Sequence, residues 1–505
     1  MIYSTKIERF YPYMDSDDID QLREYSSMSE MWQDCLFKFA DRIAIEDAGK
    51  KYSYKDTEDF AAKLRAKLIA AGCEKGARVG LYAENSIDFV AGFIAITSLG
   101  AVAAVLPPHL PAQAVLGCSM QFSLKMLLCT PEKKSDTALA SEKLGISVIC
   151  TDEIGEDKAD RVSCKAEDAC AIVFTGGTTG KSKGALLSNG SVMQGVLNGC
   201  LGIRGVFNSR YLLCLPLSHV FGLIRNLLTS LSTGSTMFIC RNNQDLFRDI
   251  AVFRPTVLVL VPALAEMALA LSKKFRRNML GDDLKTIICG AAAVPPYLIE
   301  EYNKCGISIY PGYGLTESSN LVSGNPDNLG RPDSVGLPYP NQELRVVDGE
   351  LWLRGKNIMN GYIGADNESA FTEDGWFRTG DLVRFDEEGF LYITGRAKEI
   401  IVLPSGENIS PAELEAHFLE CILIQDCQVF EDIAEGGRHI LALEVVPRAA
   451  EIAKLGENAP AAIISELEKI NASFPAFQRI SRIEIRDRDF ERTKSMKIVR
   501  YQKCK

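Results

Sequence analysis

The chain has 505 residues, 47% of them hydrophobic and 24% charged, a balance that folds but is too long for one ordinary core, so two or three domains of roughly 100–200 residues are expected. Its formal charge, 56 basic minus 66 acidic residues, is −10, which argues against nucleic acid as a partner and leaves an anionic substrate to be drawn by local charge. The 15 cysteines are scattered without a C-x-x-C pair, which excludes a disulfide framework and reads as small buried residues in a reducing compartment.

The opening stretch, MIYSTKIERFYPYMDSDDIDQ, carries acids and tyrosines where a signal peptide needs a basic start and an apolar run, so a cytoplasmic location is expected. Residues 28–39 and 57–71 space their apolar side chains as helices, whereas RIAIED and RVGLYAE read as strands. Residues 89–106, FVAGFIAITSLGAVAAVL, hold no charge and approach the length of a membrane span. Gly100 splits them, so the expectation is a buried helix ending near Leu99, a cap at Gly100, and a strand over 101–106 stopped by Pro107 and Pro108. Strand and helix then alternate to about residue 325, with SVIC, AIVFT, YLLCLPL, TMFIC, VLVLV and TIICG as buried strands. That alternation predicts an α/β architecture of parallel-type sheets flanked by helices, with ligands at the carboxyl ends of the strands. Beyond residue 335, ELRVVDGELWLRG and DLVRFDEEGFLYITG change to shorter strands and turns, a β-rich subdomain. The last boundary falls just after Gly395 and Arg396, ahead of a final α+β unit of about 100 residues.

Five stretches carry chemistry. In FTGGTTGKSKGALLSNG, Gly176, Gly177 and Gly180 can turn backbone N–H groups toward an anion, while Thr175, Thr178, Thr179 and Ser182 add hydroxyl donors and Lys181 and Lys183 add charge. A solvated loop is the plain alternative; a Walker A loop fails by one residue, because its first glycine would fall on Thr175. In LPLSHVFG, His219 follows an apolar strand and a proline, and on its own such a residue is more often a satisfied packing histidine. In YPGYGLTESS, glycines bracket Tyr313 and precede Thr316 and Glu317, which suits a flat purine and a Mg2+ ion. A TGD turn holds Asp381, which can accept from both ribose hydroxyls, and Arg396 follows a strand where it can donate to ribose or phosphate oxygens. In ERTKSMKIVR, Lys497 lies in a stretch that reads equally as a solvated basic tail. Residues 479–505 hold ten Lys or Arg against four Asp or Glu, a local +6 open to a phosphate, an acidic partner, an anionic membrane surface or plain solvent.

Taken in order, TGGTTGKSKG, YGLTE, TGD, GRAKEI and TKSMKIVR resemble the motifs of the adenylate-forming, AMP-binding superfamily of acyl-CoA synthetases, luciferases and adenylation domains over nearly the whole chain. The resemblance implies an AMP- and acyl-binding domain over residues 1–396, a hinge at Lys398 and a small mobile domain over 397–505. It also implies two half-reactions: a carboxylate attacks the α-phosphate of ATP and releases pyrophosphate, then a thiol attacks the acyl adenylate. Carried onto this chain, residues 175–184 wrap the β and γ phosphates, Thr316 touches the α-phosphate and Glu317 holds Mg2+. Gly290, Ala291, Gly312, Tyr313 and Gly314 shape the adenine slot, Asp381 and Arg396 bind the ribose, and Gly406 joins the same binding set. Lys497 bridges the carboxylate and the α-phosphate, and His219 gates or positions the acyl carboxylate and later the thiol. The chain departs from the pattern at Thr175, where many members have serine, at Met496, where most have glycine, and at Val402, where lysine is frequent. The last variant, with one extra residue before Gly406, resembles the long-chain fatty acyl-CoA synthetase branch.

Residues 212–223 contain no acid to pair with a substrate ammonium, and VLVLVPAL and LLCLPL offer apolar lining. A fatty acid is therefore expected ahead of an aryl acid, and an amino acid is disfavoured. Three functions stand side by side: a fatty acyl-CoA synthetase using ATP, Mg2+ and CoA, an adenylating enzyme that loads an acyl carrier protein, and a nucleotide-binding regulator without catalysis. The presence of Lys497, Glu317, Asp381 and Arg396 weighs against the third.

Overall fold

In a computed structural model that describes residues 2–175, 183–365, 367–402, 408–434, 439–492, 498 and 500, the chain divides into two units. The first comprises 1–345, 353–377 and 387–391; the second comprises 346–352, 378–386 and 392–505.

The apolar runs of the first unit build two large sheets. One has nine strands in the order Leu337–Pro338, Ser323–Gly324, Ser308–Tyr313, Thr286–Cys289, Val257–Leu260, Arg210–Leu213, Thr236–Ile239, Ile43–Asp47 and Lys50–Ser53. The six from Ser308–Tyr313 to Ile43–Asp47 run parallel. Val257–Leu260 and Thr286–Cys289 are buried at every position, which is why VLVL and TIIC are unbroken apolar runs and do not alternate. The other sheet has seven strands, Tyr362–Ile363, Lys183–Ser188, Ala169–Thr175, Val102–Val105, Arg78–Tyr82, Met126–Cys129 and Ser147–Cys150, the last five of them parallel. The expected α/β architecture of parallel-type sheets is present.

The order of the nine-stranded sheet sets the place for a ligand. Arg210–Leu213 lies between Thr236–Ile239, which follows it in sequence, and Val257–Leu260, which follows next. The connection from Arg210–Leu213 thus runs to one side and that from Val257–Leu260 to the other, toward Thr286–Cys289, which marks the carboxyl ends of these two neighbours, where residues 214–219 emerge, as the place expected for a crevice.

Local chemistry explains where the elements start and stop. The helix Met28–Phe39 matches its expected span, with Ser27 accepting from the Glu30 amide at 3.2 Å. The helix expected over 57–71 begins earlier, at Tyr54, because Ser53 and Asp56 close a capping box: the Ser53 hydroxyl accepts from the Asp56 amide at 3.0 Å and the Asp56 carboxylate accepts from the Ser53 amide at 2.9 Å. Residues 89–106 fold as a helix, Ile87–Ser98, buried at every position but Asp88, a left-handed Gly100 at φ +66°, and the strand Val102–Val105. Among the described residues no helix is long and apolar enough to cross a membrane. YLLCLPL is a strand only over Arg210–Leu213, since Pro216 cannot continue a ladder. The described cysteines are free and, apart from Cys118 and Cys305, buried.

The second unit packs Ile409, Leu414, Phe418, Leu443, Ile463 and Leu467 into one core. These come from the strand Asn408–Ile409, which pairs with Ile401–Val402, from the helices Pro411–Phe418 and Ala459–Ser473, and from a sheet of Ile424–Ile433, His439–Pro447 and Arg482–Ile485, an α+β arrangement as expected.

Candidate active site

Thr286–Cys289 and Ser308–Tyr313 run parallel with Cys289 opposite Pro311, so their carboxyl ends deliver Gly290 and Ala291 beside Gly312, Tyr313 and Gly314. A Cβ on Gly290 would stand 3.2 Å from the Gly312 carbonyl oxygen, and Ala291 adopts φ +67° to turn away from the sheet. Gly314 is the position that demands glycine, because a Cβ there would fall 1.3 Å from the Asn320 carbonyl oxygen. The chain folds back on itself at this point. The Asn320 amide donates to the Leu315 carbonyl at 3.0 Å, and the Ser318 hydroxyl accepts from the Leu315 amide at 3.0 Å. The resulting short turn, Thr316–Ser318, fixes Thr316 and Glu317, both half-buried. Gly314→Ala is expected to force this turn apart at a cost on the order of 3 kcal/mol, and urea unfolding with a nucleotide-binding assay checks it: a variant of unchanged stability and affinity would show that the turn can give.

The Ala169–Thr175 strand returns as Lys183–Ser188 in an antiparallel pair, with Thr175 opposite Lys183. A Walker A loop runs from a strand into a helix, so this connectivity disposes of that alternative. Residues 176–182, with Gly176, Gly177, Thr178, Thr179 and Gly180, lie outside the described residues. Tyr362 links the ends of this hairpin to the Glu317 turn. Its hydroxyl donates to Glu317 Oε1 at 2.6 Å, and the Lys183 ammonium stands 4.8 Å from the centre of its ring. Burial, then the charge of Glu317 and the hydrogen bond to it, raise the Tyr362 hydroxyl well above its ordinary range, so it stays a donor. The backbone ties the same pieces together: the Met359 amide donates to the Glu317 carbonyl at 2.8 Å, and Tyr362 pairs with Ala185. Sequence reasoning alone does not single out Tyr362, although NGYIG has a glycine-preceded tyrosine like that of YPGYG.

His219 leaves the crevice end of Arg210–Leu213 and leads into a π-helix, Phe221–Leu228. Gly222 lets this helix start against the strand end, since a Cβ there would meet the Pro216 carbonyl oxygen at 2.3 Å. The Phe221 ring reaches within 3.5 Å of the Cβ position of Gly290, which brings the His219 turn beside the glycine cluster. Burial, then the neighbouring His109, lower the His219 imidazole below its ordinary range, so it is neutral at pH 7 and suited to hydrogen bonding more than to carrying charge.

In the second unit, Arg396 Nε meets Asp381 Oδ1 at 2.9 Å, with the Asp381 side chain 3% exposed and that of Arg396 46% exposed. The Asp381 amide donates to the Thr379 hydroxyl at 3.0 Å, and Gly380, at φ +74°, donates its amide to Glu350 at 2.8 Å. The two residues assigned to the ribose are thus held by one another. Gly406 and Lys497 lie outside the described residues.

Sequence comparison matches residues 32–363 to a profile described as AMP-binding enzyme and residues 398–505 to one described as AMP-binding enzyme C-terminal domain. The chain is 31% identical over 433 residues to the 4-coumarate–CoA ligase-like 6 protein of Arabidopsis thaliana, covering 75% of this chain and 74% of that one. It is 28% identical over 405 residues to the 2-succinylbenzoate–CoA ligase of Bacillus velezensis, covering 75% of this chain and 80% of that one. In fold, it is similar to the crystal structure of the anthranilate CoA ligase AuaEII in complex with anthranoyl-AMP, with a TM-score of 0.83, 20% identity, and coverage of 95% of this chain and 96% of that one.

Proposed function

The chain belongs to the AMP-binding enzyme family, and from that premise we propose that it activates a carboxylic acid without an amine as the acyl adenylate and passes the acyl group to CoA. The enzyme is an acid–thiol ligase that uses ATP and CoA. One juxtaposition carries the reading. The YGLTE turn, with Glu317 bonded to Tyr362, adjoins the Thr175 and Lys183 ends of the glycine-rich loop, so a carboxylate, a cation and exposed backbone gather at strand ends.

Each residue then has a physical task. The cluster of Gly290, Ala291, Gly312, Tyr313 and Gly314 presents bare backbone and a flat ring to adenine. Lys183 and the loop before it draw the β and γ phosphates, and Thr316 donates to the α-phosphate. Glu317 would hold Mg2+, whose charge offsets that of the phosphates; a single carboxylate suffices for an ion bound mainly through substrate phosphates and water. Asp381 and Arg396 bind the ribose, in a chain parted functionally into 1–396 and 397–505 about Lys398. Neutral His219 positions the incoming carboxylate and later the thiol. Lys497 draws carboxylate and α-phosphate together.

The absence of an acid in residues 212–223 supports a substrate without an ammonium group. Relatives named for 4-coumarate and 2-succinylbenzoate support an aryl acid over the fatty acid that the apolar strands favour, and their naming as CoA ligases supports CoA over a carrier protein. Pyrophosphate release across aryl, fatty and amino acids, with and without CoA, tests the reading. Aryl or fatty acids are expected to release pyrophosphate and to yield acyl-CoA when CoA is added, and amino acids are not. Robust turnover of an amino acid, with none of the other acids, would overturn it.

A further inference from the structure

Arg225 lies within the π-helix Phe221–Leu228 and is 1% exposed. No carboxylate forms an ion pair with it among the described residues, and its terminal nitrogens, Nη1 and Nη2, have only the Tyr211 hydroxyl oxygen nearby and no well-formed hydrogen bond. The same side chain lines a cavity together with Ile288, Gly312, Leu321, Gly324 and Tyr339. Gly312 belongs both to this cavity and to the strand end that carries Tyr313, just ahead of the Thr316 turn, so the cavity adjoins that strand end.

The groups around the guanidinium are neutral. Burial raises the hydroxyls of Tyr211 and Tyr339, the latter to about 12, and the charge of Arg225 lowers both in part. Tyr211 gives its proton to the Val206 carbonyl at 3.2 Å, which leaves its oxygen to face Arg225. Asp18, whose carboxyl is raised by burial and then by Asp15, influences the same Tyr211 and Cys200 but forms no ion pair with Arg225. A buried guanidinium without an anion is costly, and a site that keeps one is completed by an anionic ligand. The cavity has room for little more than a water molecule, the scale of one small polar group.

Resting on the acid-activating reading above, we propose that Arg225 sets the enzyme's specificity and that the substrate is an acid bearing a second carboxylate, remote from the one activated, which pairs with this guanidinium. Tyr339 stands at the same cavity as a further hydroxyl for that group. An alkyl tail in its place would leave the charge dry and unpaired, and sites built around a polar partner reject analogues lacking it far more strongly than apolar pockets reject a misfit.

The test uses the full-length protein and pyrophosphate release with two matched pairs, adipate against hexanoate and terephthalate against 4-methylbenzoate. In at least one pair the diacid is expected to be preferred by about a hundredfold or more in kcat/KM. Arg225→Met should raise KM for the diacid and abolish or invert that ratio, while Arg225→Lys retains much of it. An unchanged thermal shift with ATP shows that Arg225→Met is folded. Preference for the monoacid in both pairs, or a ratio unchanged in a folded Arg225→Met variant, would overturn the assignment and leave acid activation standing. If the wild-type protein released no pyrophosphate with any acid of the wider panel, acid activation itself would fall, and this assignment with it.

Discussion

Replacing Lys497 by alanine is expected to lower acyl-adenylate formation by about a hundredfold or more while sparing the thiol step. The asymmetry follows from where charge is needed. In the first half-reaction a carboxylate must approach an α-phosphate, two anions whose repulsion is a large part of the barrier, and an ammonium between them removes it at the moment of attack. In the second, a thiol displaces AMP from a mixed anhydride, and no second anion has to be gathered. Although Lys497 is outside the described residues, the residue three positions on is firmly held. Arg500 donates to both oxygens of Glu415, at 2.8 and 2.5 Å, and its Nε meets Glu399 at 3.0 Å. Glu399 sits in the turn Ala397–Glu399 with Lys398, the proposed hinge, so the end of the lysine's segment and this turn share one ionic anchor within the second unit. Chemically prepared acyl adenylate plus CoA should therefore bypass the lesion. A variant that used preformed adenylate as poorly as the free acid would make Lys497 a structural residue and Lys494 the next candidate.

The strands were legible in the sequence because burial on both faces leaves unbroken apolar runs, as in VLVL and TIIC, and the motif order was legible because glycine, hydroxyl and lysine spacing is local. What depends on tertiary approach was not. The π-helix Phe221–Leu228 has no period that a pattern of helical or alternating spacing would find. Arg225 within it is not singled out by the sequence, and only its burial without an ion pair draws attention to it. Tyr362 is 45 positions from Glu317, and a short antiparallel strand brings the two together. Asp381 and Arg396 were nameable separately as ribose ligands, yet their ion pair, and hence the shielding of the carboxylate before any ligand arrives, depends on two strands meeting. The apolar stretches that point to a fatty acid in the sequence are present as the strands Arg210–Leu213 and Val257–Leu260, whereas the cavity beside Arg225 is lined by other residues, among them Ile288, Leu321 and Tyr339.

Glu317→Gln is the second substitution with a large expected effect, a fall of about a hundredfold in kcat with a raised requirement for Mg2+. The glutamate has two roles that geometry alone does not separate: it accepts from Tyr362 at 2.6 Å, which fastens the 362–363 strand to the YGLTE turn, and it offers negative charge beside the hairpin that carries Lys183. Glutamine keeps the shape and an accepting oxygen but removes the charge. Tyr362→Phe does the converse, deleting the hydroxyl and leaving the carboxylate, and a lost hydrogen bond of this kind to a charged group costs about 1.5–3 kcal/mol. If the charge is what the reaction needs, the glutamine variant should show the larger loss of kcat, and excess Mg2+ should recover part of it. The phenylalanine variant should lose activity mainly through KM for ATP, with its Mg2+ dependence unaltered. Equal losses in the two variants, with the same Mg2+ dependence as wild type, would mean that Glu317 is a clasp between the turn and the strand, and the Mg2+ ligand would have to be sought elsewhere.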